Sequence, residues 1–433
     1  MNRRQFLRAA AAASAKGVIL LGTHSWAARA LASEAAGRRR LVVVFLRGAV
    51  DGLNVVVPYG ESEYYAARPT IAIPRKGDGA ALNLDGHFGL NPALDALIPQ
   101  WRDGTLAFVQ ACGSPDPTRS HFDAQDYMES GTPGVKTTAD GWMNRVLAAL
   151  PGHSPTGAVS LGPVVPRILS GRAPVANSAL GRGAARPLPL DTPRSEEAFD
   201  RLYDGRDALS AAYQQGRAAR KQLLGELNAL AERSCGAERA GESASCVQNK
   251  DMVAADNGAP TPDGFSQDTA RLAHLIQRDP TIKLAFMALG GWDTHVNEGP
   301  LKGQLANHLK QLGDGLGSFA QQLGAAYGET VILVISEFGR TIRENGNGGT
   351  DHGHGNVMWV MGGPIRGGRV YGRWPGLATA NLYEERDLAV TTDFREPIHR
   401  VLAAHLGLSA AQLARVFPNR PADSGNLASL LRV

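Results

Sequence analysis

The sequence predicts an α/β protein with a largely parallel central sheet. Five short, continuous apolar runs have the length and composition of strands that are buried on both faces. Helical segments separate most of these runs, and such alternation of strands and helices is typical of parallel sheets. The predicted strands are Leu41–Leu46, Thr105–Ala111, Ile282–Leu289, Thr330–Ile335 and Val357–Met361.

The first 32 residues are predicted to be a twin-arginine export signal rather than part of the fold. Arg3 and Arg4 precede an Ala-rich apolar stretch that is too short and too weakly apolar to span a membrane. Ala30–Ala32 offers a cleavage site, and Ala28–Ala30 is the second candidate. We therefore expect transport by the twin-arginine translocase, a periplasmic or secreted product, and no membrane span after cleavage.

The charge of the chain gives no reason to expect a nucleic acid as partner. The chain has 45 Lys and Arg residues and 41 Asp and Glu residues. The predicted signal contains five of the basic residues and none of the acids, so 40 basic side chains remain against 41 acidic ones. The basic pI of the whole chain thus comes from the signal.

The region 190–279 departs from the alternating pattern. Glu196–Glu232 is charged and rich in Ala and Leu, which predicts helix, whereas Gly236–Gly264 is small and polar, which predicts a loop. We interpret 190–279 as a helical insertion or cap on one domain that spans 38–433. Cys235 and Cys246 lie here, and an oxidising compartment allows them either to pair or to stay free.

Acids and histidines gather at the ends of the predicted strands. They are Asp51 after the first, Asp293 and His295 after the third, Glu337 after the fourth, and His352 and His354 in the glycine-rich loop before the fifth. Ligands of parallel sheets bind beyond the carboxyl ends of the strands. Carboxylates and imidazoles together are the ligand set of divalent metals. The pattern therefore predicts a site for a divalent cation, which would be Zn, Mn or Ca.

Five motifs resemble a large family of uncharacterised twin-arginine-exported bacterial proteins, a domain of unknown function. They are Phe45–Asn54, Ser120–Gln125, Gly290–His295, Ser336–Thr341 and Gly349–Gly353. That family is placed within the alkaline phosphatase superfamily, which also holds sulfatases. The resemblance covers nearly all of 38–433, and it implies an alkaline-phosphatase-like fold: a three-layer sandwich with a mainly parallel central sheet.

The resemblance also implies roles for the clustered residues. Its superfamily holds one or two divalent cations with an early acid, which Asp51 matches, and with later Asp and His residues. The ligands implied here are Asp51, Asp293, His295, Glu337, His352 and His354. Phe338 stands where the superfamily has a histidine, and this departure weakens or removes one metal position.

A nucleophilic hydroxyl at a helix start is implied as well. In the superfamily it precedes a glycine by ten residues, but Gly131 stands eleven residues after Ser120 and ten after His121. Either a one-residue insertion keeps Ser120 in this role, or no hydroxyl occupies it; Thr118 is a further candidate. Ser120 is equally suited to be a plain helix N-cap. The Cys-x-Pro-x-Arg pattern of formylglycine sulfatases is absent.

These observations lead to two functional hypotheses. The first is an exported metal-dependent hydrolase of a phosphate, phosphodiester or sulfate ester, with Ser120 as nucleophile and with Arg119 and Arg340 binding the anionic ester. The second is a non-catalytic, metal-bearing binding or assembly protein on the same scaffold. Phe338 and the shifted position of Ser120 favour the second hypothesis.

Overall fold

A nine-stranded sheet organises the described part of the chain. The computed structural model describes residues 38–178, 193–218 and 254–432, except positions 153, 155, 163, 208, 209, 212, 215 and 216. The strands are β1 (Arg40–Leu46), β2 (Val56–Val57), β3 (Leu82–Asn83), β4 (Gly89–Leu90), β5 (Leu106–Gly113), β6 (Ala158–Leu161), β7 (Ala176–Ser178), β8 (Leu284–Leu289), β9 (Thr330–Ser336), β10 (Asn356–Met361), β11 (Arg369–Tyr371) and β12 (Thr392–Asp393). Strands β2, β4 and β3 form a separate small sheet.

Ten α-helices lie among the described residues. They are α1 (Gly52–Val55), α2 (Ser62–Ala67), α3 (Ile98–Arg102), α4 (His121–Ser130), α5 (Trp142–Ala149), α6 (Pro193–Leu202), α7 (Phe265–Arg278), α8 (Gln304–Leu323), α9 (Arg395–Ala404) and α10 (Ala410–Val416). None of the described helices has both the length and the apolar character needed to cross a membrane.

The strand order of the large sheet is β11-β5-β10-β9-β1-β8-β6-β7, with β12 beside β5. All neighbouring strands are parallel except β10, which runs antiparallel to both β5 and β9. The predicted strands and the mainly parallel sheet are confirmed. Because β10 is reversed, the loop that precedes it lies at the same edge as the loops that follow β1, β8 and β9.

Helices cover both faces of this sheet. The residues of β1 alternate between two hydrophobic clusters, with Val42 and Val44 in one and Val43 and Phe45 in the other. Apolar side chains of α7 and α8 belong to the first cluster, and those of α5, α9 and α10 to the second. This arrangement confirms the three-layer sandwich, since a parallel sheet needs cover on both faces.

The region predicted as an insertion is described only in part. Helix α7 packs its apolar face into the first hydrophobic cluster, so it belongs to the three-layer core rather than to a cap. Cys235 and Cys246 lie outside the described residues, as does the predicted export signal. Cys112 is a free, buried thiol in β5, and burial raises its pKa.

Candidate metal centre

Three loops and the start of one helix meet at the carboxyl edge of the sheet. Asp293 and His295 follow β8, and Glu337 and Arg340 follow β9. The loop before the antiparallel strand β10 carries His352, and α4 begins with His121.

Two glycines allow these loops to touch through their backbones. Gly48 has φ +111°, and a Cβ there would lie 2.7 Å from the amide nitrogen of Asp293. A Cβ at Gly353 would lie 2.5 Å from the carbonyl oxygen of Arg340. The glycines of these motifs therefore serve close packing of loop against loop.

Four side chains converge on one point. The Nε2 atom of His352 lies 3.0 Å from Nε2 of His121 and 2.9 Å from Nε2 of His295. The Oδ1 atom of Asp293 lies 3.4, 3.0 and 3.3 Å from the Nε2 atoms of His121, His295 and His352. Neighbouring ligand atoms of a tetrahedral zinc site are about 3.3 Å apart. The spacing thus fits a metal held by His121, Asp293 and His352, with His295 against the latter two.

Each imidazole is anchored through its other nitrogen. Nδ1–H of His121 donates to Glu337 Oε1 (2.9 Å), and Nδ1–H of His295 donates to Asp351 Oδ1 (3.0 Å). Nδ1–H of His352 donates to the backbone carbonyl of Arg119 (2.9 Å). These acceptors select the tautomer whose Nε2 lone pair faces Asp293, which is the pattern of metal-ligating histidines.

The negative charges of Asp293 and Glu337 favour positive charge at the cluster. Burial acts to raise the pKa of Asp293, but the three histidines, which donate to it when protonated, and the charge of Arg340 hold it well below its usual range. Burial acts to lower the pKa of His121, yet Asp293 and Glu337 raise it to about 9. The hydrogen bond to Asp293 likewise raises the pKa of His295. A divalent cation at the point where the Nε2 atoms meet would supply this positive charge.

Glu337, a predicted ligand, lies behind His121 and orients it. Its Oε1 atom accepts from His121, from Gln125 Nε2 (2.9 Å) and from the amide of Gly48 (2.8 Å). The carboxylate is fully buried, which acts to raise its pKa. The hydrogen bond from His121 outweighs this effect, so the pKa of Glu337 lies below its usual value. Glu337 is therefore a charged outer partner of the cluster.

Asp51, another predicted ligand, forms a buried ion pair instead. The guanidinium of Arg68 binds both of its carboxylate oxygens, and both side chains are fully buried. Arg68 also donates to the carbonyls of Thr341 and Ile342 at 2.9 Å. Burial and the neighbouring charge of Asp51 raise the pKa of Glu298 well above its usual value.

The two arginines expected to bind an anion are engaged within the protein. Arg340 is buried, and its guanidinium donates to Asp293 Oδ1 (2.5 Å) and to the carbonyls of Gly48 (2.5 Å) and Ala49 (2.6 Å). Arg119 pairs through one nitrogen with two acids, each at 2.7 Å, and its carbonyl holds His352. Arg340 thus supports Asp293, and Arg119 supports His352.

Ser120 and His354 lie outside the converging group. Ser120 is the exposed N-cap of α4, and its hydroxyl accepts from the amide of Asp123 at 3.5 Å. His354 is buried, with its ring 4.6 Å from that of Tyr383, and burial lowers its pKa.

His121 was not among the ligands predicted from the sequence. One signal for it was present, since Gly131 stands ten residues after His121 and closes α4 in the left-handed conformation with φ +70°. The position ten residues before this glycine is therefore occupied by the imidazole of His121. The neighbouring Ser120 caps the helix with its hydroxyl.

Solved structures with some similarity to this chain include the following three, each at low identity. Ps i-CgsB in complex with k-i-k-neocarrahexaose is 11% identical, with 87% of this chain and 74% of that chain covered and a TM-score of 0.40. The C-terminal periplasmic domain of EcEptC from Escherichia coli is 13% identical (89% and 88% covered, TM-score 0.38). Alkaline phosphatase from the Antarctic bacterium TAB5 is 12% identical (74% and 90% covered, TM-score 0.31).

A comparison with curated proteins finds no match. The model of one protein family, described as "Protein of unknown function (DUF1501)", matches residues 105–417. This match includes α4, both loops that carry Asp293 and Glu337, and the loop before β10. The chain therefore belongs to the DUF1501 family.

Proposed function

We propose that this protein is an exported, metal-dependent hydrolase of a phosphate, phosphodiester or sulfate ester. The observation that carries the proposal is the convergence of three Nε2 lone pairs on Asp293, each imidazole being anchored at Nδ1. His121, Asp293 and His352 would hold the ion, and His295 lies beside it. Nitrogen-rich sets suit zinc, and manganese less well, whereas calcium prefers oxygen ligands.

Bound in this position, a divalent cation would supply Lewis acidity toward a phosphoryl or sulfuryl oxygen. The protein's own part is to fix the ligands and admit the substrate. Arg340 keeps Asp293 ionised, and Glu337 keeps the lone pair of His121 pointed inward. The side chains of His295 and His352 are 37% and 26% exposed, so an anionic ester can reach the cluster from solvent.

The first experiment measures the metal content of the purified mature protein beside Asp293→Ala and His352→Ala. We expect about one ion per chain in the wild type and none in either variant. His354→Ala is the matched control, because this histidine lies in the same loop but outside the cluster, and it should keep its metal. A wild type that holds no metal after reloading with Zn²⁺ would refute the proposal.

Activity is then tested with p-nitrophenyl phosphate, bis(p-nitrophenyl) phosphate and p-nitrophenyl sulfate. Turnover that disappears with the metal supports a hydrolase. The second candidate is a non-catalytic, metal-bearing binding or assembly protein. The capping role of Ser120 and the internal ion pairs of Arg119 favour it. Bound metal with no turnover of any of these esters would favour this candidate.

Export by the twin-arginine translocase to the periplasm or beyond is part of the proposal, with residues 1–32 as the signal. The supporting motif is the pair Arg3 and Arg4 ahead of the Ala-rich stretch. Changing both to Lys should leave the protein in the cytoplasmic fraction, whereas Arg8→Lys should not. Normal export of the double variant would rule out this route.

A further inference from the structure

His352 is held from two sides by arginines. The Nδ1–H of His352 donates to the carbonyl of Arg119 at 2.9 Å. The guanidinium of Arg386 donates to the backbone carbonyl oxygen of His352. One contact sets the orientation and tautomer of the ring, and the other sets the position of the backbone. Neither arginine belongs to the group that would hold the metal.

Both arginines converge on a single buried carboxylate. Asp387 Oδ2 accepts from Arg119 at 2.7 Å, and Asp387 Oδ1 accepts from Arg386 Nε at 2.9 Å. The side chain of Asp387 is completely buried. It thus lies between two guanidinium groups that would otherwise repel each other beside the cluster.

The 383–387 loop, from Tyr383 to Asp387, is shaped to deliver this carboxylate. The amide of Asp387 donates to the carbonyl of Tyr383 (3.0 Å), and the amide of Tyr383 donates back to the carbonyl of Asp387 (2.8 Å). Glu384 and Glu385 between them have φ +51° and +55°. A left-handed conformation is strained for a non-glycine residue, because its Cβ approaches the following carbonyl oxygen. The surrounding contacts maintain this strained turn, and such strain is typical of functional segments.

Glu384 offers an internal contrast to Asp387. Its Oε2 atom lies at the same 2.7 Å from the same nitrogen of Arg119, but its side chain is 54% exposed. Solvent screens an exposed pair, whereas a buried carboxylate between two guanidinium groups has no substitute for its partners. Glu384 therefore forms a surface ion pair with Arg119, whereas Asp387 forms a buried one, and variants of the two acids distinguish these contributions.

We propose that Asp387 is a positioning residue of the metal centre, which fixes the tautomer and orientation of His352 through Arg119 and Arg386. The inference rests on the proposed metal-dependent function and adds a residue that neither contacts the cluster nor would bind the metal. Without its charge, the two arginines separate, and the carbonyl of Arg119 no longer faces Nδ1 of His352.

The test compares Asp387→Asn with the matched control Glu384→Gln in two measurements. The first is Zn²⁺ affinity by chelator competition, where Asp387→Asn should weaken binding about 10-fold, the lower end of the range for direct partners of metal-ligating histidines, because Asp387 acts through the two arginines. Glu384→Gln should stay within about 3-fold of the wild type, since it removes only an exposed pair. The second is the ¹⁵N spectrum of the metal-free protein. The signals of His352 are assigned as those that disappear in His352→Gln. Wild type and Glu384→Gln should show His352 protonated at Nδ1, and Asp387→Asn should lose this preference.

Equal affinities in the two variants would overturn the inference. So would a loss of affinity in Asp387→Asn with unchanged ¹⁵N signals of His352, because the effect would then be one of charge alone. If Asp387→Asn does not fold, Arg386→Gln removes one of the two links and should weaken Zn²⁺ binding in the same direction. A wild type that binds no Zn²⁺ refutes the proposed function, while the metal-free spectra still decide the role of Asp387.

Discussion

Asp51 and Asp293 follow neighbouring parallel strands, β1 and β8, and both are almost completely buried, yet they have different partners. Asp51 is bound through both oxygens by Arg68, whose charge is permanent. Asp293 receives one guanidinium contact, from Arg340, and faces three imidazole nitrogens with its Oδ1 atom. The end of a strand thus places an acid at the ligand-binding edge, but its neighbours decide whether it can hold a metal.

The difference lies in which groups supply lone pairs. The guanidinium of Arg68 donates to both carboxylate oxygens of Asp51, so a permanent cation already occupies the position that a metal would take. Around Asp293, the Nε2 atoms of His121, His295 and His352 supply lone pairs that must share a proton or a metal. The comparison predicts that changes at Asp51 affect folding stability, and that changes at Asp293 affect metal binding.

The largest expected effect on stability is that of Arg68→Met. It leaves Asp51 buried without its cation, and breaking a buried pair in this way costs about 3–5 kcal/mol. We expect urea unfolding to show this loss, while the Zn²⁺ stoichiometry of the folded variant stays unchanged. Asp51→Asn with Arg68→Met should recover much of the stability. A loss below about 1 kcal/mol, the range of surface pairs, would contradict the assignment of Asp51 to Arg68.

The sharpest test of the comparison replaces one carboxylate oxygen by an amide nitrogen in each acid, as Asp293→Asn and Asp51→Asn. Asp293→Asn should reduce Zn²⁺ affinity by more than the roughly 10–100-fold that an outer partner produces, because it removes a ligand charge. Asp51→Asn should keep its metal and lower only the free energy of unfolding. Chelator competition and urea unfolding on both variants measure the two quantities. Metal loss in Asp51→Asn would restore Asp51 as a ligand.

A smaller effect is expected from Glu337→Gln. The amide no longer provides the charge that holds Nδ1–H of His121, so Zn²⁺ affinity should fall about 10–100-fold. Asp351→Asn is its counterpart on His295, and because that carboxylate is 57% exposed, its effect should be smaller. An unchanged affinity in Glu337→Gln would mean that His121 needs no orienting partner.

Ser120→Ala should have the smallest effect. Loss of an N-cap side chain typically costs about 1 kcal/mol, which thermal or urea unfolding resolves. Metal content and any ester turnover should not change, since the hydroxyl caps α4. Abolished turnover with the metal retained would instead make Ser120 the nucleophile and would favour the one-residue insertion.

Local patterns predicted most of the fold. Continuous apolar runs marked the buried strands, and the strand-end rule placed Asp293, His295 and Glu337 at one edge. The reversed direction of β10 could not be read from Val357–Met361, because an apolar run has no direction. That reversal is what brings His352 to the edge.

Partners distant in sequence were beyond such patterns. Arg68 looks like an ordinary residue after a short helix, and its contacts with Thr341 and Ile342 span 273 and 274 positions. His121 was not predicted as a ligand, because the adjacent Ser120 offered the hydroxyl expected at the start of this helix. Which acid meets a guanidinium and which meets an imidazole depends on tertiary packing, so the ligand set required the structure.

The convergence of Nε2 atoms also has a consequence for how the protein matures. His121 and His352 stand 231 positions apart, and they meet only when β9, β10 and the start of α4 have assembled. Closing so long a segment of chain is a late event in folding, because its entropic cost precedes any compensating contact. A metal ion bound here would stabilise the finished protein and not its intermediates. Metal uptake would thus report that the whole domain has folded.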